Sequence, residues 1–255
     1  MSFVQVEKKG NYAILTLDRG KSNPLNQAFI NELSATLLEI ENESSIKGLV
    51  ISGKENFFSA GLDLIEMSQF SRNEYINFWK DFSKFLITIS KFPKPLVAAI
   101  TGHSPAGGCI IGICCDYRVM AKGNYKIGLN EIPVGIIVPK GIMALYSRCI
   151  GERLAYQYLM EGKLMDGNHA HSIGLVDELA EPDFVLEAAE RKLMQYLSFN
   201  QNAWKQTKLN LKASVLQNLD FSDDTSMELS ANQWFSEECQ TGIAKLLEGL
   251  KKNKT

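Results

Sequence analysis

The sequence predicts a layered α/β fold that ends in a purely helical region. Short aliphatic and β-branched runs alternate with stretches of helical period through the first half of the chain, two of those runs are apolar almost throughout, and β-type runs stop after about residue 200. With 255 residues, 45% hydrophobic and 22% charged, the chain has enough apolar material for one large core, so one domain with a helical extension is expected.

Phe3 to Glu7 and Tyr12 to Leu17 flank Lys9-Gly10-Asn11 as the two arms of a hairpin. Phe29, Leu33, Leu37 and Ile40 then recur at helical spacing and mark a core-facing helix. Gly48 to Ser52 and Pro95 to Ile100 read as strands covered on both faces. Between them Phe78, Phe82, Phe85 and Ile89 mark a second core helix, and Pro93 and Pro95 bound the strand that follows. From Gly107 to Cys115 the chain is apolar nearly all round, so a helix there must be buried, and Tyr117 to Ala121 adds a strand. Beyond Asn200 two helical stretches are expected, Trp204 to Leu219 and Ser226 to Leu250, the second carrying Ala231, Trp234, Phe235, Ile243, Leu246, Leu247 and Leu250. Such a tail covers either its own core or another subunit, and the sequence leaves both open.

The formal net charge of -2 provides no broad basic field, so neither nucleic acid nor an anionic membrane is expected as a partner. The N-terminus lacks the apolar stretch of a signal peptide and no apolar run reaches membrane-spanning length, so a soluble, cytoplasmic protein is expected. The five cysteines (Cys109, Cys114, Cys115, Cys149 and Cys239) include no C-x-x-C pair and read as reduced, buried thiols. Three histidines, with His169 and His171 in a polar loop, offer no metal-ligand spacing, and no metal site is expected.

Three segments can carry chemistry. Phe57-Phe58-Ser59-Ala60-Gly61-Leu62-Asp63-Leu64 follows a buried strand, and its small residues let a ligand approach the backbone. A helix starting near Asp63 would direct its first N–H groups outward, although a plain turn with Asp63 as a cap reads equally well. Thr101-Gly102-His103-Ser104-Pro105-Ala106-Gly107-Gly108-Cys109 repeats the arrangement ahead of the apolar helix. Two such turns together suggest a two-donor oxyanion hole. In the third segment, Ile127 to Ile136, Glu131 is the one carboxylate among mostly apolar neighbours, where desolvation raises its pKa toward the range of a general base.

Asn23-Pro24-Leu25-Asn26, Ser59-Ala60-Gly61-Leu62-Asp63-Leu64, Lys94-Pro95-Leu96-Val97-Ala98-Ala99-Ile100, Pro105-Ala106-Gly107-Gly108-Cys109 and Gly174-Leu175-Val176-Asp177-Glu178 occur in this order. Together they resemble the crotonase superfamily, the enoyl-CoA hydratase/isomerase family, over roughly the whole chain. The resemblance implies a crotonase-like spiral of ββα units over residues 1–199 and a helical oligomerisation region over 200–255, assembled as a homotrimer or a dimer of trimers. It implies an acyl-CoA thioester as substrate, with CoA part of that substrate and no separate cofactor. It puts the oxyanion donors at the N–H groups of Leu62 and Gly107, and lines the CoA and thioester site with Leu25, Ala60, Gly61, Leu62, Asp63, Leu64 and Gly107.

Family hydratases use two glutamates, one directly after the Gly-Gly-Cys of the second turn and one in the segment matched by Asn130-Glu131. Here the first position is Ile110, which cannot hold or deliver a proton. Glu131 is left as the one catalytic carboxylate, and one is enough to move a double bond. With Cys114-Cys115-Asp116-Tyr117-Arg118 and Ile127-Gly128-Leu129-Asn130-Glu131, the pattern looks most like the mitochondrial-type Δ3,Δ2-enoyl-CoA isomerases. The expected reaction is isomerisation of 3-enoyl-CoA to trans-2-enoyl-CoA. The alternatives are hydration or another acyl-CoA reaction on the same scaffold, a non-catalytic acyl-CoA binder, and a hydrolase using Ser104, whose following residue, Pro105, has no N–H to donate to an oxyanion.

Overall fold

Strands β1 (Val4–Lys9) and β2 (Tyr12–Leu17) pair antiparallel and turn through Gly10, whose φ of 61° costs a glycine nothing. This hairpin opens the computed structural model, which describes residues 2–252 and the side chains through residue 249. Helix α1 (Gln27–Asn42) follows, capped by the Asn26 side chain and burying Phe29, Leu33, Leu37 and Ile40 as its spacing predicts.

From there one unit repeats: a strand in a large sheet, a short strand in a second sheet, then helix. The first repeat is β3 (Gly48–Ser52), β4 (Asn56–Phe57), α2 (Leu64–Met67) and α3 (Arg72–Lys91). The next is β5 (Leu96–Ile100), β6 (Gly102–Pro105) and α4 (Gly107–Cys114). After β7 (Tyr117–Ala121) and β8 (Ile127–Gly128) come a 3-10 turn at Ile132–Val134 and helices α5 (Lys140–Ile150), α6 (Glu152–Glu161) and α7 (Gly167–Ser172). Strand β9 (Glu178–Ala180) and helix α8 (Val185–Leu197) complete the spiral. The large sheet has six strands in the order β1-β2-β3-β5-β7-β9, parallel from β2 onward, and the small one is β4-β6-β8, also parallel.

Strand alternation explains why β3 and β5 are apolar throughout. Leu49, Ile51, Leu96, Ala98 and Ile100 enter the main core, while Val50, Val97 and Ala99 point to the other face and meet Val185, Ala188, Ala189 and Leu193 of α8. Helix α3 begins with a capping box of Ser71 and Glu74 and presents Tyr75, Phe78, Trp79, Phe82 and Phe85 to the core. His169 and His171 do not lie in a loop. They belong to α7, which forms because the Asp166 side chain accepts the His169 N–H.

The tail folds back on its own chain. Helix α9 (Gln201–Leu219) packs against α3 and α5, α10 (Asp224–Trp234) against α3, and α11 (Glu237–Lys252) against α2 and the Ile132–Val134 turn. Trp234 stacks on Tyr75 with ring centroids 5.3 Å apart. The single stretch expected over Ser226 to Leu250 is two helices. The break falls at Phe235-Ser236, where the Ser236 hydroxyl accepts the Cys239 N–H and Gln240 donates to the Trp234 carbonyl. The Leu250 side chain lies outside the described residues. No helix among the described residues is long and apolar enough to cross a membrane.

Helix α9 is fastened by a buried ion pair. Lys208 Nζ lies 2.7 Å from Asp116 and donates to the Lys94 carbonyl, and the Lys208 and Asp116 side chains are only 5% and 8% exposed. Burial pushes Lys208 down to about 8; burial alone would raise Asp116, but Lys208 and Lys212 hold it below its ordinary value. Lys208→Met leaves Asp116 buried with Lys212, 3.3 Å away, as its one remaining paired cation among the described residues. It should cost about 3 kcal/mol at pH 7, measured by urea unfolding, the low end for breaking a buried pair. A change under about 1 kcal/mol would show that the pair is effectively solvated.

Candidate active site

The small sheet gathers the chemistry. Asn56↔Gly102 and Phe57↔His103 register β4 on β6, and Ser104↔Ile127 and Pro105↔Gly128 register β6 on β8. Because the three strands are parallel, the segments that follow them emerge at one edge, where ligands of parallel sheets are met. Those segments are the first glycine turn, the second glycine turn and the loop of Glu131.

The first turn is held from behind by the segment before α1. Asn23, buried with φ 49°, donates through Nδ2 to the Phe58 carbonyl. Ser59 Oγ donates to the Asn23 carbonyl and accepts the Gly61 N–H at 3.1 Å. Ala60 N–H donates to Ser22, Leu25 N–H to Gly61 and Asp63 N–H to Leu25, so that Leu25 and Leu62 are bridged. Leu64 N–H closes back on the Leu62 carbonyl. Every N–H from Ala60 to Leu64 is therefore committed except that of Leu62, which has no acceptor among the described residues.

In the second turn Ala106 N–H donates to Gly128. Ala106 itself sits at φ 47° and ψ -119°, a conformation costly for a residue with a Cβ. It directs the chain into α4, whose first N–H, that of Gly107, also lacks an acceptor among the described residues. The turns are in contact: a Cβ on Gly61 would lie 2.9 Å from Ala106 Cβ and 3.1 Å from Gly107 N, and one on Gly107 would lie 2.8 Å from Leu25 Cδ1 and 3.2 Å from Gly61 Cα. Close approach of the two backbones is what requires glycine at both positions.

Glu131 is 6% exposed, and burial pushes its carboxyl up to about 7. Its Oε2 has no hydrogen-bond partner among the described residues, while its carbonyl accepts Val134 and Ile136 N–H in a turn that Gly135 closes at φ 79°. Ile110, one turn into α4, is buried in the main core. The structure thus brings Leu25, Ala60, Gly61, Leu62 and Gly107 into one constellation at the sheet edge that also leads to Glu131. Leu64 opens α2 and packs half-buried on the core. Asp63 is employed within the fold: one oxygen caps the Glu66 N–H at 3.1 Å and the other lies 2.8 Å from Arg19.

Sequence reading missed the bracing of the first turn by Arg19 and Asn23 and the strain at Ala106, although Asn23 and Ala106 stand in the quoted motifs. Asn23, directly before Pro24, was the available signal, since asparagine tolerates positive φ. His103 lies in β6, with Nδ1 accepting the Lys126 N–H at 3.1 Å. Ser104 is buried and hydrogen-bonded to no histidine among the described residues, and His169 is taken by Tyr158 at 2.8 Å, so no serine–histidine relay forms there. A cavity of about 590 Å³ lies between α9 and the far end of α4, against Asp116, Arg118 and Trp204, and shares no residue with the two turns or Glu131.

The model of the enoyl-CoA hydratase/isomerase family matches residues 7–254. Mitochondrial enoyl-CoA delta isomerase 1 of Mus musculus is 32% identical over 253 residues, which covers 98% of this chain and 88% of that protein. The short-chain-enoyl-CoA hydratase of Clostridium acetobutylicum is 30% identical over 242 residues, 93% of this chain and 91% of that one. The crystal structure of human mitochondrial delta3-delta2-enoyl-CoA isomerase superposes with a TM-score of 0.96 at 30% identity, covering 100% of both chains. Isomerases and hydratases stand at similar identity, so the choice between their reactions falls to individual side chains.

Proposed function

The chain belongs to the enoyl-CoA hydratase/isomerase family, and from that premise we propose that it converts 3-enoyl-CoA to trans-2-enoyl-CoA, with Glu131 as sole base and acid and the Leu62 and Gly107 N–H groups as thioester-oxygen donors. The observation that carries the choice of reaction is Ile110, which stands where hydratases have their second glutamate and is buried in apolar packing.

In this reading the Glu131 carboxylate removes a proton from C2. The C–H electron pair moves into the thioester and forms a dienolate, whose oxygen is held by the Leu62 and Gly107 N–H groups. The same proton is returned at C4, the double bond comes to rest between C2 and C3, and Glu131 is regenerated. A carboxyl that titrates at about 7 suits both the removal and the return of a proton near neutral pH. Each donor that tightens on the developing oxyanion contributes about 3 kcal/mol to the transition state. Leu25, Ala60, Gly61, Asp63 and Leu64 line the path of the thioester and CoA, and CoA arrives as part of the substrate. A homotrimer or dimer of trimers is proposed with it. Tyr156 and Met160, neighbours on α6, are large exposed apolar side chains available for burial between subunits.

The experiment is to supply 3-enoyl-CoA and 2-enoyl-CoA separately. Conversion of the first to the conjugated thioester should exceed hydration of the second by at least about 100-fold, the contribution of one missing acid–base group. Efficient formation of 3-hydroxyacyl-CoA would favour the hydratase reading that the bacterial relatives support. Binding of both without turnover would reduce the protein to an acyl-CoA binder.

A further inference from the structure

We propose that Arg19 is a positioning residue for the thioester oxygen: its guanidinium holds and polarises a chain of two peptide groups that ends in the Leu62 N–H. The inference rests on the reading of that N–H as an oxyanion donor.

Arg19 Nη1 donates to the Pro24 carbonyl at 2.7 Å. That carbonyl shares its peptide group with the Leu25 N–H, which donates to the Gly61 carbonyl at 2.8 Å. The Gly61 carbonyl in turn shares its peptide group with the Leu62 N–H, the donor left without an acceptor among the described residues. No peptide bond among the described residues is cis. In a planar trans unit the C=O and N–H point in opposite directions, so fixing the carbonyl at one end aims the N–H at the other. Leu25 therefore aims the Leu62 N–H, and Arg19 fixes the peptide group by which Leu25 does so.

Arg19 is itself held on several sides. Its backbone N–H donates to Asn23 Oδ1 at 2.8 Å, the second proton of Nη1 serves Asp63 at 2.8 Å, and Nη2 lies 3.6 Å from Glu66. Glu66 accepts Asn26 Nδ2 at 2.6 Å, and the Asp63 N–H returns to the Leu25 carbonyl at 2.9 Å. One guanidinium ties residue 24, on one side of the bridge between Leu25 and Leu62, to residue 63 on the other. The Arg19 and Asp63 side chains are 18% and 12% exposed, so water competes little for these bonds. Asp63 and Glu66 offset the charge of Arg19 at longer range, and what reaches Leu62 is the short-range pull through the hydrogen bonds. A bond from a cation is about twice as strong as one between neutral groups. Each bond in such a chain strengthens the next by about 10–30%. The pull matters most when the thioester oxygen gains negative charge, so Arg19 acts on the transition state more than on bound substrate.

The test compares wild type with Arg19→Met, Arg19→Gln and Arg19→Lys in two measurements. One is kcat and KM for 3-enoyl-CoA. The other is the infrared stretch of the isotope-labelled thioester carbonyl of bound butyryl-CoA, which has no double bond to move. Wild type should lower that stretch relative to free butyryl-CoA. Methionine donates nothing, and should lower kcat about tenfold with KM nearly unchanged and return the stretch part of the way to its free value, as loss of a charged hydrogen bond requires. Glutamine keeps a neutral donor and should fall between methionine and wild type; it decides the matter if the methionine protein does not fold. Lysine keeps the cation and should lose less than either. A purely structural defect reduces the amount of active protein but leaves the stretch of bound thioester in place. A stretch that stays at the wild-type position in the neutral variants therefore overturns the proposal, as does a loss in lysine equal to that in methionine. A wild-type stretch equal to that of free butyryl-CoA would instead overturn the reading of the two N–H groups as oxyanion donors, whereas a lowered wild-type stretch beside unmoved variants removes only the role of Arg19.

Discussion

Glu131→Gln will lower turnover of 3-enoyl-CoA by about 10²- to 10⁴-fold, the range of a lost general base, and leave KM nearly unchanged. Glutamine keeps the shape of the side chain but cannot take a proton from C2. The same substitution carries a stability signature of opposite sense. Burial raises the carboxyl from its ordinary 4.5 to about 7. Between those values the folded chain holds a proton that the unfolded chain has released, so folding stability falls as pH rises through this window. The contribution of Glu131 is full below about pH 4.5 and is lost as pH climbs through about 7. Glutamine has no such loss. Urea unfolding should therefore show the variant gaining on the wild type from pH 5 to pH 8, by about 3 kcal/mol at the upper end, as the raised proton affinity requires. Wild-type turnover would remove Glu131 from the reaction, and a stability difference that ignores pH would show that the carboxyl ionises in contact with water.

Gly61→Ala will lower kcat by about 10²- to 10³-fold, as when one oxyanion donor is lost. The added methyl meets Ala106 Cβ at 2.9 Å and Gly107 N at 3.1 Å, and the residue sits at φ 86°, so the two turns must separate to admit it. Separation spoils the convergence of the Leu62 and Gly107 N–H groups on one oxygen. Gly10→Ala is the matched control. Its φ is 61° with nothing among the described residues within 4 Å of the added methyl, so it carries backbone strain without a clash. It should lose about 1 kcal/mol of stability, the cost of left-handed backbone for an L-residue, and keep its kcat. Equal kcat in both variants would mean that contact between the turns is irrelevant to the chemistry.

Much of this molecule is written in local pattern. A strand covered on both faces of its sheet is apolar along its length, which is why β3 and β5 stand out in the sequence. The helical stripe of Phe29, Leu33, Leu37 and Ile40 and that of Phe78, Phe82, Phe85 and Ile89 are legible for the same reason. So is the chemical inventory: a glutamate at 131, an isoleucine at 110, and glycines where two turns precede helices. Other features leave no such trace. Strands β4 and β8 have two residues each, too few for any period to show, yet with β6 they bring the three chemical segments to one edge. The break at Phe235-Ser236 rests on two capping contacts inside an otherwise helical run, so periodicity passes over it.

Side-chain identity by itself determined which groups are present and which faces are buried, because transfer from water depends on the residue and the period of its element. Tertiary structure alone decided which groups are left free to act. Among the described residues the Leu62 N–H is left without an acceptor because Ser22, Leu25 and Ser59 engage the groups around it, and the Gly107 N–H because strained Ala106 turns it into the start of α4. Glu131 has a raised proton affinity because burial within the folded chain takes its carboxyl out of water. Hydrogen-bond commitment and desolvation are set by segments distant in the chain, Asn23 with Phe58 and Arg19 with Asp63 among them, and no local window of sequence contains both partners.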